Sequence, residues 1–392
     1  MSRLLIKNAR AVLYNEVTQP LDILVSGGKI EKIGAEKVSD DCEILDANGG
    51  FLFPGFIDLH VHGGGGADFM DATPEAFETA VKAHLMHGTT TLIPTAMSAT
   101  EEDLMKFLSA FKEFKKGSDY AYITPGVHLE GPYFSGANAK SGGAQPMNLL
   151  RLPDMQEVER ILNFADGDII RWDAAPELEG ADTFAGIMQK EGIVCAIAHS
   201  NARSEEAQRG IDNGFSHVTH FYNAVTTYHK EDQTVCGGVV EAAYLNPHVT
   251  VELICDGKHI PRDVLRLALM IKGPDKVSAI TDGMRIAGTD MQNGKLGSLK
   301  NGTDVIVDDG VAKLPDMSSF AGSIATMDRC LRVIVCDYGI DIVTASKMLS
   351  SAPAKLIGAE NIGEIREGFK ADLVLTDKNF NLQKVISGGE IK

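Results

Sequence analysis

The chain has 392 residues, of which 44% are hydrophobic and 23% charged, the profile of an ordinary globular protein. No apolar run reaches the ~18 residues that a membrane helix needs. A net charge of -17 at pH 7 argues against nucleic acid or an anionic membrane as partner, and an anionic substrate would have to be met by a few local cations.

The opening MSRLLIKNARAVLYNE has no signal-peptide core, so a cytoplasmic location is expected. Residues 1–50 read as short strands with turns (LLIKNARAVL, DILVSGGKIEKIG, EILDANGGFLFP), and residues 364–392 look similar. Neither end is long enough to bury a core alone. The expectation is one small sandwich-like β-domain built from residues 1–53 and 355–392, with a larger domain over 54–354 inserted between them. Within that insert, eight apolar strand-like runs alternate with helical stretches: GFIDLHVH, TTTLIPT, ITPGVHLE, DIIRWDAAPE, GIVCAIAH, FSHVTHF, VTVELICDG and VSAITDG. The alternation predicts an α/β fold with parallel strands, a (β/α)8 barrel of the TIM type whose site lies at the C-terminal strand ends. A Gly-, Asn- and Asp-rich segment after Asp282 reads as an inserted β-hairpin or loop near that site. The six cysteines (Cys42, Cys195, Cys236, Cys255, Cys330, Cys336) form no CxxC pair and read as reduced core thiols.

Six side chains of metal-binding type stand at those strand ends. His60 and His62 lie two apart on one strand, so both rings face the same way and can bind one metal ion. The glycine run after them lets a ligand approach the backbone. Glu130 ends the third strand before Gly-Pro and can turn into the barrel mouth. His199 and His220 end the fifth and sixth. Asp282 ends the eighth, beside the metal, where a carboxylate is the natural general base for activated water. His128 shares a face with Glu130 and reads as a packed interior histidine. His217, three residues before His220, is expected on the opposite face, outside the site.

The motifs PGFIDLHVHG, HLEGP, AHSNA, VTHFYNA, DGKHI, ITDGM and AGSIATMDR, in this order, resemble the amidohydrolase superfamily and, within it, the N-acetylglucosamine-6-phosphate deacetylases. The resemblance runs over nearly the whole chain. It implies metal-dependent release of acetate from a 2-acetamido sugar 6-phosphate, with zinc or iron as cofactor and one or two ions per subunit. Glu130, His199 and His220 match the principal metal site, His60 and His62 permit a second ion, and Asp282 matches the catalytic aspartate. Glu130 takes the bridging role that a carboxylated fourth-strand lysine has in many relatives; IIRWDAAPE has no lysine, which disfavours dihydroorotase- and hydantoinase-like activities. Asn223, Ala224 and His259 match sugar-phosphate contacts, and Ile324 a loop lining the sugar pocket. The resemblance also implies a homodimer that completes the phosphate pocket across its interface. Two positions depart from the family pattern. Gln145, in SGGAQP, replaces a histidine, and Lys230, beside His229, replaces an arginine; lysine binds phosphate as a point charge without the guanidinium fork. Open alternatives are deacetylation of a galactosamine isomer or an unphosphorylated sugar, hydrolysis of an N-acyl amino acid, and a non-catalytic sugar-phosphate sensor.

Overall fold

The computed structural model describes residues 3–35, 42–135 and 143–392. The first two residues of SGGAQP, at 141–142, therefore lie outside the described residues.

Eight parallel strands form the centre: Phe56–Val61, Thr89–Ala96, Val127–Tyr133, Ile169–Ala174, Val194–Ile197, His217–Val218, Thr250–Ile254 and Val277–Ile280. Each pairs with the next in sequence. The sheet closes on itself where Val61 bridges Gly283 and the Asp282 N–H donates to the His60 carbonyl at 3.0 Å. All eight predicted strands are present, and the fold is a (β/α)8 barrel.

The helices follow from local sequence. Over Glu101–Gly117, the Thr100 side chain accepts from the Asp103 N–H, acidic residues fill the first turn, and Lys115 and Lys116 stand in the last. Leu104, Phe107, Leu108, Phe111 and Phe114 recur at helical spacing and are buried. Phe77, from the preceding helix Pro74–Leu85, packs on Phe107, Phe111 and Phe114 with ring centroids 5.3–5.8 Å apart. Full burial of each such ring stabilises by roughly 1.5–3 kcal/mol. Ile57, Leu59, Ile93, Ile254 and Ile280 form a separate buried cluster with Ala354.

The terminal segments share one sheet. Phe51–Pro54 is its pivot, parallel to Arg3–Ala11 on one side and antiparallel to Leu373–Thr376 on the other. Leu52, Leu373 and Leu375 point into the sheet's own core, whereas Phe53 and Val374 point into the barrel cluster, the two-residue alternation of a sheet buried on both faces. The segment after Asp282 forms a three-stranded antiparallel cap, Asn293–Leu296, Thr303–Asp308 and Val311–Lys313, packed through Leu296, Val305 and Ala312 on Met97, Met284 and Ile286. No helix among the described residues is long and apolar enough to cross a membrane. All six cysteines are free, but only Cys195, Cys255 and Cys330 are buried. Cys336 is exposed, which corrects the expectation that all are core thiols: its helical turn presents it outward, away from Val333 and Ile334.

Candidate metal centre

The barrel brings six side chains from five strand ends to one place. His60, His62 and Asp282 form one buried group; Glu130, His199 and His220 form another. In the second, Glu130 Oε1 lies 2.9 Å from His199 Nε2 and 3.1 Å from His220 Nε2, and the two nitrogens are 3.2 Å apart. A tetrahedral ion with bonds of about 2.0–2.1 Å has ligand–ligand edges of about 3.3 Å. In the first group, His60 Nε2 and His62 Nε2 are 3.2 Å apart and lie 3.6 and 3.3 Å from Asp282 Oδ1. Glu130 joins the two, since its Oε2 faces His62 Nε2 at 3.4 Å and His60 Nε2 at 3.7 Å.

The tautomers support a cation between these groups. His220 Nδ1 lies 3.0 Å from the Asn223 carbonyl oxygen, an acceptor only, so Nδ1 carries the proton and Nε2 presents a lone pair to the centre. His60 Nδ1 donates to Glu252 Oε1 at 2.9 Å with the same result. Lone pairs of imidazole and carboxylate aimed at one point are the donor set of a divalent cation, and the residues fit one. Burial opposes the Glu130 charge, yet the facing His60, His199 and His220 hold its carboxyl well below the usual range. For Asp282, too, burial is outweighed by His62, His60 and His220, and its carboxyl stays ionised.

Three of the six residues adopt positive φ: His199 at 43°, His220 at 27° and Asp282 at 50°. Each lies two residues past the end of its strand, and the left-handed turn swings the side chain over the barrel mouth.

Beneath the centre lies a charged layer with no counterpart in the sequence reading. Arg171 donates to Glu252 at 2.6 and 2.9 Å and to Asp173 at 3.0 and 3.2 Å, all fully buried. Asp173 also lies 2.9 Å from His128 Nε2, so the expected packed interior role of His128 is what the structure shows. Burial pushes the His128 ring down to about 4 and keeps it neutral. His217 is not on the opposite face: its Nε2 lies 3.2 Å from Glu252 Oε2 and its Nδ1 2.7 Å from Thr250 Oγ1, inside the barrel. Alternation fails because the sixth strand is only His217–Val218, and the chain has already turned before His220. Single charges inside apolar runs, Glu252 in VTVELICDG and Arg171 and Asp173 in DIIRWDAAPE, were the available signal.

A cleft of ≈ 730 Å³, its open mouth included, rises from the centre. Gln145, Asn223, Ala224 and His259 line it with Phe320 and Leu296 of the cap region. Asn223 Nδ2 is buried without a partner among the described residues. The His259 ring is fixed by Asp256, 2.8 Å from Nδ1, and packs on Phe320, so Nε2 is its free nitrogen. Ile324 packs instead on the cap cluster, and Gly322 and Ser319 line the cleft from its segment. Lys230 stands exposed on a small hairpin, His229–Glu231 with Thr234–Cys236, and does not reach the cleft of its own chain.

A barrel with two histidine–carboxylate groups sharing a glutamate is the architecture of a metal-dependent hydrolase. The amidohydrolase family model matches residues 51–392, and the chain belongs to that family. It is 31% identical over 390 residues to the N-acetylglucosamine-6-phosphate deacetylase of Lysinibacillus sphaericus, covering 99% of this chain and 97% of that one. Among solved structures it resembles a mutant N-acetyl-D-glucosamine-6-phosphate deacetylase from Mycobacterium smegmatis in complex with N-acetyl-D-glucosamine-6-phosphate (TM-score 0.90, 29% identity, 100% and 99% of the two chains). The deacetylase of Pasteurella multocida is equally close in fold, with TM-score 0.91 and 27% identity over 100% and 99% of the chains.

Proposed function

We propose that this chain hydrolyses the acetamide of N-acetylglucosamine 6-phosphate to glucosamine 6-phosphate and acetate. The observation that carries the reading is the shared Glu130, whose two oxygens face His199/His220 and His60/His62 at the floor of a cleft lined by polar, sugar-sized contacts. Relatives of matching length with that activity support it.

Glu130, His199 and His220 would hold a divalent cation, zinc or iron, and His60 and His62 would admit a second; such a cation would acidify a bound water towards ~7 and polarise the acetamide carbonyl. Asp282 takes the proton of the attacking water and returns it to the sugar nitrogen as the C–N bond breaks. Glu252 holds His60 in the tautomer that leaves Nε2 bare. Asn223 Nδ2, the Ala224 backbone and His259 Nε2 orient the sugar, and Gln145 keeps one amide proton free for it. Lys230, exposed on its hairpin, serves the phosphate of a partner subunit's sugar in a homodimer. The setting is the cytoplasm.

Acetate release from a panel tests this: the 6-phosphates of N-acetylglucosamine, N-acetylgalactosamine and N-acetylmannosamine, the unphosphorylated sugars, and N-acetyl amino acids. The glucosamine phosphate is expected to lead in kcat/KM, with activity abolished by a chelator and restored by zinc. Preference for the galactosamine phosphate would reassign the isomer, and exclusive turnover of N-acyl amino acids would remove the sugar reading.

A further inference from the structure

Gln145, one of the two positions read above as departures from the family pattern, does not turn its side chain to open space. Its Nε2 donates to Glu130 Oε2 at 2.8 Å, and its Oε1 accepts the Ser98 backbone N–H at 3.1 Å. The side chain is 6% exposed, and Ser98 is itself buried just beyond the second barrel strand. One rigid amide thus spans a fixed backbone donor and one oxygen of the glutamate that faces both histidine groups. Gly143, two residues earlier, has a φ of 53°, which glycine adopts freely, and stands beside the His199 ring.

A carboxylate on a flexible stem is a poor bridging ligand unless its plane is fixed. Rotation of the Glu130 carboxyl would carry Oε1 off His199 and His220 and Oε2 off His60 and His62 together. The described contacts of Glu130 Oε1 are to imidazoles of the centre, and Gln145 is the hydrogen-bond donor on Oε2 from outside the six-residue set. A carboxylate oxygen has lone-pair capacity for one amide donor and one cation, so the amide does not exclude an ion.

We propose that Gln145 is the positioning residue of the metal centre: it locks the Glu130 carboxylate in the plane that serves both histidine groups, and thereby sets how tightly the centre holds its cation. The inference rests on Glu130 being a metal ligand. It adds to the sugar-facing role of Gln145, because the amide uses one proton on Glu130 and retains the other.

The test is zinc affinity of the folded apoprotein, measured by competition with a chromophoric chelator, which is independent of turnover. In Gln145→Met, of similar length but without N–H, zinc is expected to bind 10–100-fold more weakly, the usual effect of losing an outer hydrogen-bond partner. Gln145→Asn, one methylene too short to span Ser98 and Glu130, is expected to show the same loss and carries the test should the methionine variant fail to fold. Gln145→His keeps a ring N–H donor and is expected to recover part of the affinity. Near-native zinc affinity, within threefold, in the methionine or asparagine variant overturns the proposal while leaving the metal centre intact. Absence of zinc binding by the native protein would instead remove the ligand assignment of Glu130, a separately readable result.

Discussion

His199, His220 and Asp282 hold left-handed backbone conformations that L-residues adopt at a cost of about 1–3 kcal/mol each. Asparagine and aspartate tolerate that region better than most residues, so Asp282→Asn separates chemistry from backbone geometry. The variant is expected to retain its metal content and to lose about 10²–10⁴-fold in kcat, the contribution of a positioned proton acceptor; metal analysis beside steady-state kinetics checks both. Arg171 faces two buried carboxylates, Glu252 and Asp173. Arg171→Met leaves both without their cation and is expected to cost about 3–5 kcal/mol, read by urea unfolding. The six converging side chains were legible because each ends an apolar run on a polar residue. The layer beneath them was not. Glu252, Arg171 and Asp173 lie mid-strand, and nothing local says that a charge there meets a partner from across the barrel. Gln145 was legible as a polar group near the sugar, but not as a hydrogen-bond donor to Glu130, which depends on how its loop descends past His199.

Among the elements, the barrel strands are readable from largely apolar runs of seven to ten residues alternating with capped amphipathic helices. The sixth was the exception. With two residues in register, it gave the two-residue period nothing to act on, and His217 was sent to the wrong face. The cap, expected as a β-hairpin or loop, has three strands, the third being Val311–Lys313 after the turn at Asp309–Gly310. Its seating on the barrel depends on Arg285. The guanidinium donates to both oxygens of Asp71 at 2.8 Å and to the carbonyls of Gly66 and Gly297 at 3.0 Å, tying the glycine-rich loop to the cap. A lysine cannot reproduce this fork. Arg285→Lys is expected to speed amide hydrogen exchange across residues 293–313 and to raise KM several-fold with a smaller change in kcat. An unchanged exchange pattern would show that apolar packing alone seats the cap.

For the whole molecule, acid is the condition that probes the interior. Burial pushes His84 down to about 4, while its Nε2–H donates to the Gly63 carbonyl at 2.8 Å. The unfolded chain takes up a proton at this residue below about 6.5, and the folded chain does so only near 4. Stability is therefore lost as pH falls from 6.5 to 4, with no contribution from this residue above about 7. The loss at pH 4.5 is about 2–3 kcal/mol, and His84→Gln should flatten that limb of the urea-unfolding profile by this amount. Cation binding acts in the opposite direction. Zinc at 100 times its Kd should add about 2.7 kcal/mol and raise Tm, and chelation should remove the increment.

The sheet that joins the chain's two ends has a consequence for biosynthesis. Phe51–Pro54 leaves the ribosome early with Arg3–Ala11 along one edge, and its other edge is filled by Leu373–Thr376 only after the entire barrel has been translated. Until then Leu52 lacks its neighbours Leu373 and Leu375, and a hydrogen-bonding edge stays bare in the nascent protein. This corner of the molecule therefore matures last, and the growing polypeptide needs shielding there from strand-to-strand association with its neighbours on a polysome.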